Sequence, residues 1–567
     1  MSRTDRRRVR WFFAGLLVVS AVLDIVGALL IHHQTRAQEL GSVLPPSISL
    51  GGRTGAVLSG LALLLLASGI ARGKRAAHRL TLAVLVATIF FQLVKDLDFE
   101  IASLNAWILF GLWWFRDQFE ADTDPARARF GMAALVAGVG LAVLYAMIGT
   151  VILGNQLQPE VGLLRTLESL AATVAGSPGR YHAVTERADW FLSTLPIVSY
   201  ALVIIALTQL LRPVLAPRAV AADRERLQSL LGKWGRNHIS HLAVHGTSSY
   251  HWIDGRACVA FTLRGRTALA LGDPIGPPDV GIDGVREFTN YCDRQDWTPA
   301  FYQVDGPEPY RSLGMALVPI GSEALIETSG FDLKGKARAD LRHAVHRSER
   351  EGVRFTFAPG PQVLEEDAND LQAVSGRWLE SRNSPELGYS LGTLATLSDP
   401  EIVVGRAVSA SGRLEAFVSW LPVPARNGWT LDLMRRRPDS AYGVMEALIV
   451  RSIQEAAGRG IVEVSLGVAP RIIAAADAAS GGMDRAMRAM FWSLDRFQRS
   501  RTLRRFKEKF GPCWEDRYLA VPGPQTLPEV MVALVRAHLP PLSRAAVWLR
   551  SRPRDAEAVE GRTKVLA

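Results

Sequence analysis

The spacing of apolar and polar positions changes near Arg212. Before it, long apolar runs alternate with short polar segments. After it, apolar stretches shrink to strand or helix length and charge of both signs is mixed in. A helix needs ~20 apolar residues to cross ~30 Å of hydrocarbon. Six runs approach that length: Trp11–Ile31, Thr54–Ala71, Ala77–Val94, Ala102–Phe115, Gly131–Leu153 and Trp190–Leu211. The pattern predicts an N-terminal α-helical transmembrane bundle over residues 1–211. The first run follows the basic stretch MSRTDRRRVR, and it is longer than a signal-peptide core, so a retained helix is expected. Lys and Arg crowd the N-terminus and the loops Arg72–Arg79 and Arg116–Arg129, which puts both termini inside. Asp24 falls within the first run, where a carboxylate raises a functional question. A packing or water-facing role is the simpler reading. Leu164–Ala175, between the last two runs, reads as an amphipathic or re-entrant piece.

Residues 212–226 form a proline-bearing basic linker, and residues 526–567 a basic C-terminal tail. Between them, residues 227–525 read as an α+β domain on the cytoplasmic side. Ala257–Leu263 and Thr267–Leu271 look like paired strands, followed by the turn GDPIGPPD, a helix at Val285–Gln295 and a strand at Pro299–Val304. A second such series follows. It has a charged helix at Lys336–Gly352 with Ala337, Leu341, Ala344 and Val345 as its apolar face, a strand at Val353–Phe357 and a helix at Val363–Ser381. Glu401–Val408 and Leu414–Leu421 suggest a hairpin, with a strand at Trp429–Met434, a helix at Gly443–Gly458 and a strand at Val462–Leu466. The order resembles the acetyltransferase (GNAT-like) fold, present twice in tandem.

Composition adds direction. The 567 residues carry a formal charge of +10, which favours anionic partners such as nucleic acid or lipid headgroups. Three widely spaced cysteines (Cys258, Cys292, Cys513) make neither a disulfide framework nor a zinc pattern, and suit a reducing cytoplasm. The eleven histidines show no HExxH spacing, and no P-loop is present.

Six segments, in order, carry a resemblance to one family: ALGDPIG (Ala270–Gly276), FYQV (Phe301–Val304), GKARADLRHAVHRSEREG (Gly335–Gly352), LDLMRRRPDSAYGVMEALI (Leu431–Ile449), SLGVAP (Ser465–Pro470) and FKEKFGPCWEDRYLAVP (Phe506–Pro522). Together they resemble the lysyltransferase domain of the lysylphosphatidylglycerol synthases, the multiple peptide resistance factor family. The resemblance implies a multi-pass enzyme of the bacterial inner membrane. It would move an aminoacyl group, lysine first and alanine second, from aminoacyl-tRNA to a hydroxyl of phosphatidylglycerol. Less negative lipid would then weaken the attraction of cationic antimicrobial peptides. The donor is already an activated ester, so positioning and electrostatics supply most of the catalysis, and no cofactor or metal is demanded. Assembly into a homo-oligomer is left open.

Asp432 and Arg435, near a strand end, are expected as the catalytic pair, Asp432 facing the amino group of the aminoacyl moiety and Arg435 a phosphate. The alternative is a strand-end ion pair with neighbouring arginines. Lys507 and Lys509 in FKEKF, and Lys336, Arg338 and Arg342 on the charged helix, are expected to meet phosphates of tRNA or lipid. For the helix, a merely solvated face is the competing account. Asp273 in GDPIG is a further substrate-binding candidate, although turn chemistry explains it well. Tyr389–Gly392 (YSLG) is expected to line the aminoacyl pocket.

The chain departs from the family pattern at Ala337 and Ala339, in DRFQRSRTLRR before FKEKF, and at Arg471, which leaves the amino acid and acceptor open. Three rivals stand beside this reading. An acyl-CoA N-acyltransferase would need a glycine-rich pyrophosphate loop, where only Gly443 occurs. A peptidoglycan-precursor aminoacyltransferase would share fold and donor. A non-catalytic transporter or tether would carry a degenerate transferase domain.

Overall fold

The computed structural model describes residues 3–30, 46–96, 99–119, 143–174, 181–195, 220–246, 248–382, 385–470 and 500–540, with positions 137, 140 and 141. Residues 196–211 of the sixth expected span, most of the fifth's first half, residues 212–219 of the linker and the tail beyond residue 540 lie outside the described residues. The chain divides into two compact units, one of Met1–Leu215 with Asp293–Asp296 and the other of Ala216–Cys292 with Trp297–Ala567.

The first unit is helical. Helices α1 (Arg3–Leu30), α2 (Pro46–Ala71), α3 (Arg75–Asp96) and α4 (Phe99–Trp114) pack around Phe13, Leu17, Ala21, Leu63, Ile70, Leu85, Ile108 and Leu112. Small residues let them approach: a Cβ on Gly60 would stand 3.0 Å from the Ala21 carbonyl oxygen. Polar groups inside are matched between helices, Gln92 donating to Asp24 and Ser20 to Asn105, as an apolar surround requires. Asp24 thus stands in a helix–helix contact. Only Arg8–Val26, among the described residues, is both long and apolar enough to cross a membrane. Ser59–Ala71, Ala77–Phe90 and Val143–Ile152 are apolar but shorter. Helix α5 (Leu163–Val174) is amphipathic, burying Thr166, Ser169 and Leu170 while Leu163 and Leu164 stay exposed.

Among the described residues, the second unit is built on one sheet of eleven strands. After α6 (Ala221–Trp234) come β1 (Ser249–Ile253), β2 (Ala257–Arg264) and β3 (Thr267–Leu271), then α7 (Gly281–Arg294), β4 (Thr298–Val304) and β5 (Ala316–Glu327). The second series holds α8 (Ala339–Arg350), β6 (Arg354–Pro359), α9 (Gly360–Arg382), β7 (Val403–Val408), β8 (Leu414–Val423), β9 (Gly428–Arg436), α10 (Val444–Gly458) and β10 (Glu463–Pro470). Helix α11 (Ser500–Glu508), β11 (Cys513–Val521) and α12 (Leu527–His538) follow. The strand order is β1-β2-β3-β4-β11-β5-β10-β9-β8-β7-β6.

One plan occurs twice. An antiparallel meander ends in a strand–helix–strand crossover with parallel strands, β3–α7–β4 in the first series and β9–α10–β10 in the second. Strands β11 and β5 join the two halves, each pairing antiparallel with the other. Helices cover both faces, which is why the central strands read as nearly unbroken apolar runs. In β8, Ala416, Val418 and Trp420 pack with α8 and α10, whereas Leu414, Phe417 and Leu421 pack with α9 and α6. The charged segment Lys336–Gly352 begins as a short 3-10 turn, Lys336–Arg338, before α8. Leu341, Ala344 and Val345 are buried as expected, but Ala337 lies on that turn and is exposed, outside the helical periodicity.

Candidate functional site

Parallel strands β9 and β10 pair only over Gly428–Thr430 and Glu463–Ser465. Beyond Thr430, β9 keeps its bonds to β8 as far as Arg436, so Asp432 and Arg435 lie within the strand rather than past its end. On the other side β10 breaks register with β5 between Ser465 and Val468. Gly467 there has φ +78°, a conformation that an L side chain resists, and its N–H donates to Ser465 Oγ at 2.9 Å. The two strands therefore diverge, and a cavity of about 800 Å³ opens between them.

Apolar residues dominate its lining, among them Leu391, Leu421, Leu431, Met434, Leu466, Met531 and Leu534. Its polar lining includes Asp432, Arg435, Lys507, His238, Glu323 and His538. This is the usual make-up of a small-molecule site.

Asp432 Oδ1 accepts the Gly392 N–H at 2.7 Å, and Oδ2 faces Ser419 Oγ at 3.5 Å. Burial pushes its carboxyl up to about 6, against the Gly392 bond and the charge of Arg435, which favour ionisation. The Arg435 guanidinium carbon sits over the Trp378 ring, 3.9 Å from its centre, and burial brings its guanidinium down to about 10 despite Glu386 and Asp432. Lys507 is 4% exposed and donates to the Gly467 and Val468 carbonyls at 2.9 and 3.0 Å. Burial lowers its ammonium to about 7, with Glu323 opposing. Even a neutral amine can satisfy both carbonyls with its two hydrogens.

Beneath Lys507 lies a charged network. Arg517 donates to Glu323 Oε2 at 2.7 Å, and His238 bridges Glu323 at 3.2 Å and Glu463 at 3.3 Å. Burial disfavours charge on His238, yet Glu323 and Glu463 raise it to about 9. Burial likewise disfavours the Glu323 carboxylate, and His238 with Arg517 holds it down at about 2.

Asp432, Arg435 and Lys507 thus meet in one cavity, and Ser390, Leu391 and Gly392 line it too. The other sequence-derived candidates stand apart. Lys509 pairs with Glu446 at 2.9 Å. Arg338 donates to the Lys509 carbonyl at 2.9 Å, and Arg342 caps the carbonyls of Leu333 and Gly335, so both guanidiniums hold backbone. Lys336 is exposed on the turn before α8. Asp273 accepts from Asn237 at 3.0 Å, the Asp305 N–H at 2.9 Å and Tyr310 at 2.8 Å, at a separate smaller pocket of about 370 Å³.

The family described as phosphatidylglycerol lysyltransferase, C-terminal, matches residues 228–521, more than half of the chain. The chain belongs to this family. Its match with the phosphatidylglycerol lysyltransferase of Bacillus subtilis, 26% identical over 529 residues, covers 93% of this chain and 58% of that protein. An uncharacterized protein of Corynebacterium glutamicum is 27% identical over 511 residues, covering 84% of this chain and 63% of that one. Among solved structures, L-PGS from Bacillus licheniformis is 28% identical, with a TM-score of 0.51, covering 57% of this chain and 98% of that one. The fold of the second unit is therefore the L-PGS fold. The chain spans about three fifths of the length of those two curated relatives.

Sequence reasoning missed the parts of the family member's cavity that act through neighbours: Ser419, Trp378, and the His238–Glu323–Arg517 network. A serine inside the apolar strand AFVSWL was a signal for the first, since a buried hydroxyl needs a partner. The others join residues 57 to 194 positions apart, beyond the reach of local pattern.

Proposed function

We propose that this chain is a membrane-anchored aminoacyltransferase that moves an aminoacyl group, lysyl first, from charged tRNA to a hydroxyl of phosphatidylglycerol. One observation carries the reading: in a member of the phosphatidylglycerol lysyltransferase family, a carboxylate, a guanidinium and a buried amine converge in a largely apolar cavity. An acyl chain suits the leucine and methionine walls, and the carboxylate of Asp432 suits a substrate ammonium. Arg435, seated over the Trp378 ring, suits a phosphate. In the reaction the lipid hydroxyl oxygen bonds to the ester carbonyl carbon, the bond to the tRNA ribose oxygen breaks, and the hydroxyl proton passes to that leaving oxygen. Lys507, held near neutrality, suits the polar end of the cavity where this proton moves. The proposal includes multi-pass anchoring by the N-terminal helices and a second unit facing the cytoplasm. The Bacillus subtilis match extends over 93% of the chain, so it takes in helices of the first unit as well.

The test is direct. Membranes carrying the protein are incubated with phosphatidylglycerol and tRNA charged with labelled lysine or, separately, alanine, with and without RNase pretreatment. Label in extracted lipid that RNase abolishes is expected, and it names the amino acid. No labelled lipid with either donor would overturn the proposal.

A further inference from the structure

Beside the cavity, the 3-10 turn Ser240–Val244 follows Ile239; Ile239 and Leu242 line the cavity, while His241 and His245 turn to another partner. Their Nε2 atoms reach the same oxygen, Asp399 Oδ2, at 2.9 and 3.1 Å. Asp399 follows the turn Leu394–Ser398, and its other oxygen accepts the Glu401 N–H at 2.9 Å. The side chains of His241 and Asp399 are each 2% exposed and that of His245 20%.

Two N–H groups sharing one carboxylate oxygen would satisfy this contact by hydrogen bonding alone. His241 also has a second carboxylate on its far side, beyond hydrogen-bond reach: Asp399 stands at Nε2, and Glu401 Oε2 at 4.0 Å from Nδ1. A neutral imidazole has one proton. On Nε2 it serves the Asp399 contact; a metal ion bound at Nε2 would shift it to Nδ1, on the side of Glu401. The donor set fits such an ion. Two imidazole nitrogens and one carboxylate oxygen are zinc-class ligands, and the histidines stand at i and i+4. Ligands about 2.0–2.2 Å from a tetrahedral ion stand about 3.4 Å from one another. The two nitrogen–oxygen separations would open by a few tenths of an ångström, and the ligand atoms all lie within 4.8 Å of one another. The second buried convergence, His238, Asp305 and Glu323, differs in that Arg517 and Arg426 already supply its cations.

We propose that His241, His245 and Asp399 form a three-ligand site for a divalent transition-metal ion of the zinc class. Glu401 orients His241 from its far side, and the fourth position opens on the half-shielded side of His245. The ion ties the turn bearing Leu242 to the segment that runs back from Asp399 to Gly392, whose N–H holds Asp432. It acts as a clamp on the cavity wall, and this role does not depend on which substrate the cavity takes.

The full-length protein, purified in detergent and stripped with a chelator, is titrated with Zn²⁺ while metal content and melting temperature are followed. Roughly one bound zinc per chain and a rise in melting temperature are expected for the wild type. His245→Ala and Asp399→Asn should lose both responses while melting, metal-free, close to the metal-free wild type. His238→Gln should keep them. Co²⁺ substituted into the wild type should give the visible absorption of a tetrahedral ion. A wild type that zinc does not stabilise, or variants that bind and respond like it, would overturn the site.

Discussion

Asp432 is under two opposed demands. The cavity removes water from its carboxyl, while the proposed cationic substrate group needs that carboxyl ionised. Its pKa of about 6 lies above the ordinary 3.8, so the folded state binds this proton more tightly than the unfolded chain. Stability therefore falls as pH rises from about 4 to about 6, and the loss persists above that range. Asp432→Asn keeps an oxygen for the Gly392 N–H and removes the charge. It is expected to raise stability on the order of 2 kcal/mol at pH 7, with little gain at pH 4, when unfolding is followed in denaturant. Aminoacyl transfer should fall roughly 100-fold in the same variant, since the charge is lost where it is needed. Gly392 has a narrower tolerance. A Cβ there would lie 1.9 Å from Asp432 Oδ2, so Gly392→Ala should displace the carboxylate and lower activity strongly, as a rate assay would read. Asp432 and Arg435 were legible in the sequence because LDLMR is a local motif on a strand. The roles of Arg338 and Arg342 as backbone caps were not, since a helical wheel does not reveal which carbonyls lie beyond the helix end.

At the scale of elements, the decisive feature is the divergence of β9 and β10, and the charged network under it replaces the pairing they give up. His238, Glu323, Arg517 and Ser465 join the segment before β1 to β5, β11 and β10. Signs can be assigned. His238, raised to about 9 from 6.5, contributes stability that is fully present below pH 6.5 and lost as pH rises through 9. Glu323, held at about 2 from 4.5, contributes above pH 4.5 and loses its share only as pH falls through 2. At pH 6 wild type should therefore exceed His238→Gln on the order of 2 kcal/mol in stability, and the gap should close above pH 9. A gap that did not change with pH would mean that shape, not charge, is what His238 supplies. The strands themselves were readable from alternation and turns: β2, β3, β7 and β8 fall close to their expected positions. Strands β1, β5 and β11 were not recognised; in β5, VPIGSEALIE breaks the apolar run with Gly321, Ser322 and Glu323. Those residues sit there for the network and for close approach to β10, where a Cβ on Gly321 would stand 2.5 Å from the Ala469 carbonyl oxygen.

On the scale of the whole molecule, the question is which side of a membrane the sheet faces, and the cysteines supply a reporter. Cys258 and Cys292 are buried in the second unit, at β2 and α7, whereas Cys513 is exposed at the start of β11. The sequence holds only these three. Burial pushes the Cys258 thiol far above its ordinary range, so it reacts slowly even where reagent reaches it. A membrane-impermeant maleimide should then mark Cys513 first in the folded protein. If the basic N-terminus and the loops Arg72–Arg79 and Arg116–Arg129 lie inside, as the distribution of Lys and Arg predicts, Cys513 is shielded in intact spheroplasts. Labelling should be absent from intact spheroplasts, appear on lysis, and disappear with Cys513→Ser under both conditions. Charged tRNA is made in the cytoplasm, so this topology and the proposed donor require each other. Strong labelling of Cys513 in intact spheroplasts would put the cavity on the outer side, where no aminoacyl-tRNA is available, and would exclude the tRNA-dependent reaction along with the orientation.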